Sequence, residues 1–380
     1  MVNQPPRLLE CVVEVDRPRR EPAPLIGALP GEGIGPEVIG AALEVARGLE
    51  RAGGPSISIE VGGQIGRVAE ERFGAPLTEE VVRFCRDTFA RGGAILSGPG
   101  GGRYVYDLRR ELGLYVKATP VRALDGLCDE SPLRPELTDE LDLMILRENF
   151  GGVYQGTSQE VSDGVGGRAV RHVFSHSEAD VNRFVDAAAR MARARDGELT
   201  VVVKDAGIPS ISALWRQCAE QAAEAHRVAW RAVDVDLMAY ELVCDPRRFD
   251  VVAAPNLCGD VLGDLAAALV GTRAMSFSGS FTARGEGVYQ TNHGAAHDIA
   301  GTDRANPIGQ ILSLAMLLRE SLGLEREASA VEEAVRRVWR AGHRTADVAG
   351  AREPIGTREL ARLVADAAAD ALQGATAVAP

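Results

Sequence analysis

Apolar runs a few residues long, bounded by Gly- and Pro-bearing turns, alternate with longer stretches in which apolar residues recur at helical spacing. Leu25 to Leu29 is the first such run and predicts a strand; from Glu37 to Arg51 the spacing predicts a helix. The same reading predicts strands at Ser56 to Val61, Gly93 to Leu96, Leu141 to Leu146, Thr200 to Val203 and Phe249 to Ala254. Helices are predicted at Thr78 to Ala90, Ser177 to Arg195, Ile211 to His226, Ile308 to Leu322, Glu325 to Trp339 and Thr357 to Leu372. Such alternation predicts an α/β architecture. Residues 156 to 176, Gly- and Ser-rich with alternating Val, Arg and Phe, predict a β-ribbon or a mobile arm. Residues 1–24 read as an extension, in which Leu8 to Val15 is expected to form a strand docked on the body or on a partner.

Candidate chemistry concentrates between Val233 and Leu269. Asp260 and Asp264 lie four apart in the predicted helix from Gly259 to Leu269, so their carboxylates stack on one helix face. Like charges repel there unless a cation sits between them. Asp236 opens another helical run, and Asn256 follows the strand that ends at Ala254. Oxygen-only donors suit a hard ion such as Mg²⁺ or Mn²⁺. Read without the rest of the chain, the aspartate pair is a solvated acidic helix face. Two Gly-rich loops bear on the choice. Pro30-Gly-Glu-Gly-Ile-Gly-Pro36 matches a dinucleotide-binding turn at Gly31 and Gly33, but Pro36 stands where close helix packing needs the third glycine. A tight turn with Pro at the helix start reads it equally well. Ser97 to Arg103 follows the carboxyl end of a strand, where α/β proteins carry ligand loops.

The 380 residues, 46% hydrophobic and 25% charged, are enough for two domains and a large core. A net charge of -12 excludes general nucleic-acid binding and requires any positive site to be local. Six cysteines, at 11, 85, 128, 218, 244 and 258, form no CxxC pair, so a reduced, cytoplasmic protein is expected rather than a disulfide framework or a zinc site. No apolar run reaches the length of a membrane span, and the N-terminus lacks the sustained apolar core of a signal peptide.

Taken in order, the motifs resemble one family, the β-decarboxylating dehydrogenases (isopropylmalate, isocitrate, homoisocitrate and tartrate/malate dehydrogenases). The similarity runs from about Leu25 to Leu372. It is carried by Pro30 to Glu37, Leu108-Arg109, Arg147-Glu148 with Gly151-Gly-Val-Tyr154, Asp236, Asn256 with Gly259-Asp260 and Asp264, and His293 to Gly301 with Asn306-Pro307. The resemblance implies an α/β, isopropylmalate dehydrogenase-like fold: two α/β domains sharing a mixed sheet, with the active site in the cleft. The cofactor-side domain would comprise residues 25–115 plus 275–380, with 116–274 inserted as the dimerisation and metal/substrate domain. It further implies a homodimer with shared sites, Lys204 and Asp236 coming from the neighbouring subunit.

The implied reaction oxidises a 2-hydroxy acid bearing a C3 carboxylate and releases CO₂. Asp236, Asp260 and Asp264 would hold Mg²⁺ or Mn²⁺. Lys204 would take the hydroxyl proton, which requires a depressed pKa, and Tyr154 would protonate the enol carbon. Arg109 and Arg147 would clamp carboxylates, a task suited to planar guanidinium. Asp298 with Ile299 implies NAD, because a carboxylate there accepts ribose hydroxyls and repels a 2′-phosphate. Ile34, Asn256, His293, Gly294, Ala295 and Asn306 would complete the cofactor side. Three departures stand out. Thr119 occupies the place of a third arginine ten residues past Arg109, so one substrate carboxylate either goes without that arginine or is met by Lys117. The loop Asp-Ala-Gly-Ile-Pro-Ser after Lys204 is unusual. Gln290-Thr-Asn292 precedes His293, where relatives commonly carry a glutamate. Arg103, with Tyr104 and Tyr106, would read a polar or anionic C3 substituent, in place of the apolar lining of isopropylmalate enzymes, or else point to solvent. A non-catalytic regulatory homologue and 3-isopropylmalate dehydrogenase proper are the alternatives.

Overall fold

A computed structural model describes residues 7–14, 23–122, 131–138, 140–195, 197–348, 350 and 353–377. Its centre is one ten-stranded mixed sheet in the order β2-β1-β3-β12-β11-β4-β5-β10-β8-β9. One wing is parallel: β2 (Ser58–Val61), β1 (Leu25–Leu29), β3 (Ala94–Ser97) and β12 (Gly287–Thr291). The other wing is parallel too: β5 (Asp142–Glu148), β10 (Val251–Ala254), β8 (Leu199–Val203) and β9 (Trp230–Asp234). Between them β11 (Phe277–Phe281) and β4 (Val116–Arg122) pair antiparallel with their neighbours, so the two wings run in opposite directions.

Each wing follows from its sequence. β1, β3, β8 and β10 are buried at every residue, as parallel strands covered on both faces must be, which is why they read as mainly apolar runs. The helices start where capping chemistry allows. Thr78 accepts from Val81 N ahead of α4 (Glu79–Ala90), and Ser177 accepts from Asp180 N ahead of α7 (Glu178–Ala194). Pro36 and Pro209 lie in the first turns of α2 (Gly35–Arg51) and α8 (Pro209–His226), where a missing N–H costs nothing. The largest core cluster packs α2, α7, α11 (Ile308–Glu320), α12 (Glu325–Arg340) and α13 (Thr357–Ala377) onto the sheet. No helix among the described residues is long and apolar enough to cross a membrane.

Two expectations are refined. Residues 156–176 form a ribbon: β6 (Thr157–Ser162) and β7 (Arg168–Val173) pair with each other in a separate two-stranded sheet. The expected strand at Leu8 to Val15 is instead the short helix α1 (Leu8–Val12); Val15 lies outside the described residues, as do residues 1–6 and 16–22 and Cys128. Leu8, Leu9, Cys11 and Val12 are the buried positions, a helical rather than alternating set. Tyr115 Oη donates to Val12 O at 2.6 Å and Glu14 N donates to Ala283 O at 2.8 Å, anchoring α1 to the body. Cys11, Cys85, Cys218, Cys244 and Cys258 are all free thiols.

Candidate active site

β5 ends in Arg147-Glu148, and the sheet register sets Arg147 opposite Lys117 on one side and Ala254 on the other. Just past Ala254 the helix α10 (Asn256–Leu269) begins, so the Arg147 guanidinium reaches across its first turn. Nε and Nη2 donate to Asn256 Oδ1 at 3.0 and 2.8 Å, and Nη1 donates to Asp260. Asn256 Nδ2 in turn donates to Gly151 O at 3.0 Å. Arg109 arrives from the last turn of α5 (Tyr104–Leu112). Arg109, Lys117 and Arg147 are only 3%, 7% and 3% exposed, although all three are cationic side chains.

Their proximity shows in their acid–base chemistry. Burial and then Arg147 push the Arg109 guanidinium down to about 9, which leaves it charged at neutral pH. Burial, followed by Arg109 and Arg147, holds the Lys117 ammonium well below the usual lysine range, while Asp260 and Asp264 pull the other way. Arg109 Nη1 is buried without a hydrogen-bond partner, and Lys117 Nζ makes no hydrogen bond to a described residue. Unpaired buried charge costs several kcal/mol, on the order of a large mutation, so a recess of this kind is suited to an anion from outside. Thr119, two residues along the same face of β4, is buried and uncharged.

Tyr154 stands on a one-turn 3₁₀ segment, Val153–Gln155. Its ring centroid is 4.8 Å from that of Tyr106 and 5.4 Å from the Arg147 guanidinium carbon, with the Asp260 carboxylate nearby. Burial and that carboxylate raise the Tyr154 phenol above its ordinary range, so it carries its proton at neutral pH and can donate it. For Asp260, burial works upward, but Arg147 and Tyr154 outweigh it and hold the carboxyl below the usual range. Asp264 lies one turn further on and pairs with Arg273 at 2.8 Å. Arg103 is exposed at the rim: Nη2 donates to Tyr154 O at 3.2 Å, and its guanidinium lies 5.7 Å from the Tyr106 ring.

Lys204 and Asp236 form a second place, at the end of β8 and the start of α9 (Val235–Cys244). Lys204 Nζ donates to Asp236 Oδ1 at 2.7 Å and to Asp234 Oδ2 at 3.4 Å. No described contact joins either residue to Asp260, Asp264 or Tyr154 within one chain, and no three metal-ligating side chains cluster among the described residues. The expected depressed pKa of Lys204 is corrected: its hydrogen bond to Asp236 raises it. Asp260 and Asp264 therefore offer two hard oxygen donors on one helix face, the donor chemistry of Mg²⁺ or Mn²⁺, and a third must come from beyond this arrangement.

On the cofactor side, Gly31 to Gly35 folds against the loop that begins at His293. Ile34 N donates to Ala295 O at 2.8 Å, and a Cβ at Gly33 would fall 2.0 Å from that oxygen, so close approach to this loop is what requires glycine there. Ile34 packs with Ile299 in a small apolar cluster. His293 Nδ1 meets Gly294 O at 2.9 Å, leaving Nε2 buried without a partner, an orphan that a planar heterocycle could satisfy. Asp298 is exposed on the turn His297–Ile299 and joins no ion pair among the described residues. Two candidates are taken up by scaffolding. Asn256 is fully buried with both ends of its amide engaged, and Asn306 donates to Asp347 at 3.1 Å while its Oδ1 accepts from Ile308 N at 3.0 Å.

Sequence reasoning placed Glu32 and Glu148 inside motifs but gave neither a role. Glu32 accepts from Gly101 N at 2.6 Å and Val68 N at 3.2 Å, tying the Gly-rich loop to the first turn. Its place inside Pro-Gly-Glu-Gly was a usable signal, since a carboxylate among glycines has backbone N–H groups to collect. Glu148 followed Arg147 with nothing in its spacing to mark it.

A family model described as isocitrate/isopropylmalate dehydrogenase matches residues 25–364. The 3-isopropylmalate dehydrogenase of Bacillus licheniformis is 37% identical over 360 residues, covering 91% of this chain and 96% of that protein. That of Geobacillus kaustophilus is 39% identical over 338 residues, covering 85% and 90%. Among solved structures, isocitrate dehydrogenase from Methylococcus capsulatus superposes with a TM-score of 0.80 at 27% identity, covering 91% of this chain and 99% of that one.

Proposed function

The chain belongs to the isocitrate/isopropylmalate dehydrogenase family of decarboxylating oxidoreductases, and from that premise we propose that it oxidatively decarboxylates a 3-substituted malate whose substituent is polar or anionic, using NAD and a divalent metal. The observation that carries this reading is the buried trio Arg109, Lys117 and Arg147, with Arg109 Nη1 buried and lacking a hydrogen bond. A dicarboxylate supplies the missing negative charge. Arg103 and Tyr106 at the rim favour a polar group on C3.

Bound NAD would accept the hydride, and a divalent ion held by Asp260 and Asp264, with Asp236 lent by a second copy of the chain, would draw charge from the substrate oxygens. The chain's own residues do the rest. Arg109, Lys117 and Arg147 fix the carboxylates and so orient the bond that breaks. Lys204 of a second copy removes the hydroxyl proton. Its pairing with Asp236 keeps it protonated, so once Asp236 is engaged elsewhere the lysine releases its proton more easily and can act as base. Tyr154, protonated beside Asp260, delivers a proton to the enol carbon after CO₂ has left. A homodimer is supported by apolar side chains left exposed together on α9 (Leu237, Tyr240, Val243) and α10 (Leu257, Val261). Asp298 favours NAD over NADP by repelling a 2′-phosphate.

The test is a panel of malate, tartrate, isocitrate, homoisocitrate and 3-isopropylmalate with NAD and Mn²⁺, following NADH absorbance and CO₂ together. Preference for an acid- or hydroxyl-bearing member supports the proposal. Equal or better turnover of 3-isopropylmalate overturns the polar substituent and leaves the second reading, the activity named for the relatives above.

A further inference from the structure

Glu148 is a carboxylate only 1% exposed at the end of β5, beside the substrate recess yet turned away from it. Its two oxygens collect backbone donors from the next residues. Phe150 N donates to Oε1, and Gly151 N lies 2.9 Å from Oε1 and 3.0 Å from Oε2. This winds the chain back on itself directly after the strand. Gly151 O is held by Asn256 Nδ2 at 3.0 Å, and Gly152 N donates to Ser175 O at 3.0 Å. Gly152 has a φ of +77°, and the segment Val153–Gln155 carrying Tyr154 starts immediately after it. The turn is closely walled: a Cβ at Gly151 would fall 2.8 Å from His176 Nδ1 and 3.2 Å from Glu148 Oε2. Tyr154 therefore inherits its place from a turn built around one buried carboxylate.

We propose that Glu148 is a positioning residue for Tyr154: its carboxylate templates the Phe150–Gly151 turn, and the turn sets where the Tyr154 hydroxyl stands relative to Asp260 and the substrate. This rests on the reading that Tyr154 donates the proton to the enol carbon. The carboxylate form is the better template because it accepts every one of these N–H bonds, whereas a protonated Glu148 surrenders acceptor capacity to its own O–H. Burial, against the opposing pull of those N–H groups, lifts Glu148 to about 7, with Asp180 of α7 raising it further and Arg147 lowering it. The other charged or titratable groups near the turn are His176, whose pKa burial lowers, and Arg183, stacked on Phe150.

The experiment is a double-mutant cycle on the full-length enzyme, using the best substrate of the malate panel. Glu148→Gln keeps the shape but offers one carbonyl oxygen in place of two carboxylate oxygens. We expect kcat to fall roughly 10-fold with KM changed less than about 2-fold, since displacement of a reacting group by a fraction of an ångström is felt in the chemical step. The acid limb of the kcat profile near pH 7 should flatten in this variant. In a Tyr154→Phe background the same substitution should cost nothing further, because the group it positions is gone. Gly151→Ala disturbs the turn without touching the carboxylate, and should reproduce both the loss and its disappearance in the Tyr154→Phe background. Equal losses from Glu148→Gln with and without Tyr154, or no loss at all in a variant with wild-type thermal stability, overturn the inference. If Tyr154→Phe alone leaves kcat intact, it is the proton-donor reading that fails.

Discussion

Replacing Lys117 by methionine separates what the recess does for the fold from what it does for the substrate. The lysine is buried on β4 beside Arg109 and Arg147, and burial is the largest influence on its charge. Methionine keeps the length and apolar stem while removing an ammonium that has no hydrogen-bond partner among the described residues. Exchanging poorly compensated buried charge for packed apolar atoms stabilises by about 1–4 kcal/mol in comparable cases; the Asp260 and Asp264 attraction puts this site at the low end, about 1–2 kcal/mol. For a chain of this size that is a rise in Tm of roughly 1–3 °C. The pH dependence has a definite sign. Lys117 has a lowered folded pKa, so the unfolded chain binds the extra proton between that value and the ordinary lysine pKa. Stability of the native enzyme therefore rises with pH across that window, and Lys117→Met should lose this slope. Substrate binding should move oppositely: losing one buried charge partner costs about 2–3 kcal/mol, a rise in KM of roughly 30- to 150-fold. The assay pairs urea unfolding between pH 6 and 10 with initial-rate kinetics. A variant that is less stable than the parent and keeps its KM would refute the reasoning and make Lys117 a structural cation.

Three further outcomes are expected. Asp260→Asn leaves Arg147 without its anionic partner and should lower stability by about 1–3 kcal/mol at pH 7; because the folded carboxyl sits below the usual range, the difference should shrink as pH falls toward and through that lowered value, as a series of urea melts from pH 7 downward would show. Asp298→Lys should narrow the preference for NAD over NADP at least about 10-fold in kcat/KM, and an unchanged ratio would remove Asp298 from cofactor choice. Val261→Glu, at an exposed apolar position on α10, should leave the proposed dimer monomeric by light scattering and reduce kcat about 100-fold or more, because Lys204 and Asp236 would no longer reach the site; an active monomer would sink the shared-site reading.

Local pattern alone determined the alternation of strands and helices, because apolar runs such as Leu25 to Leu29 and capped amphipathic stretches such as Ser177 to Arg195 carry their period within a few residues. It also determined that Asp260 and Asp264 share a helix face and that a cationic cluster must be local in so acidic a chain. Spacing could not reveal that Lys117 faces Arg147, since that depends on the pairing of β4 with β5, and register is a property of two strands together. Nor could it reveal that Asn256 is engaged in holding Arg147, that Lys204 is raised by Asp236, or that Glu148 underpins the turn before Tyr154. Charge and hydrogen bonding act through space over a few ångströms. Residues as distant in sequence as 109, 117, 147, 154 and 260 acquire their chemistry only when the sheet and α10 bring them together.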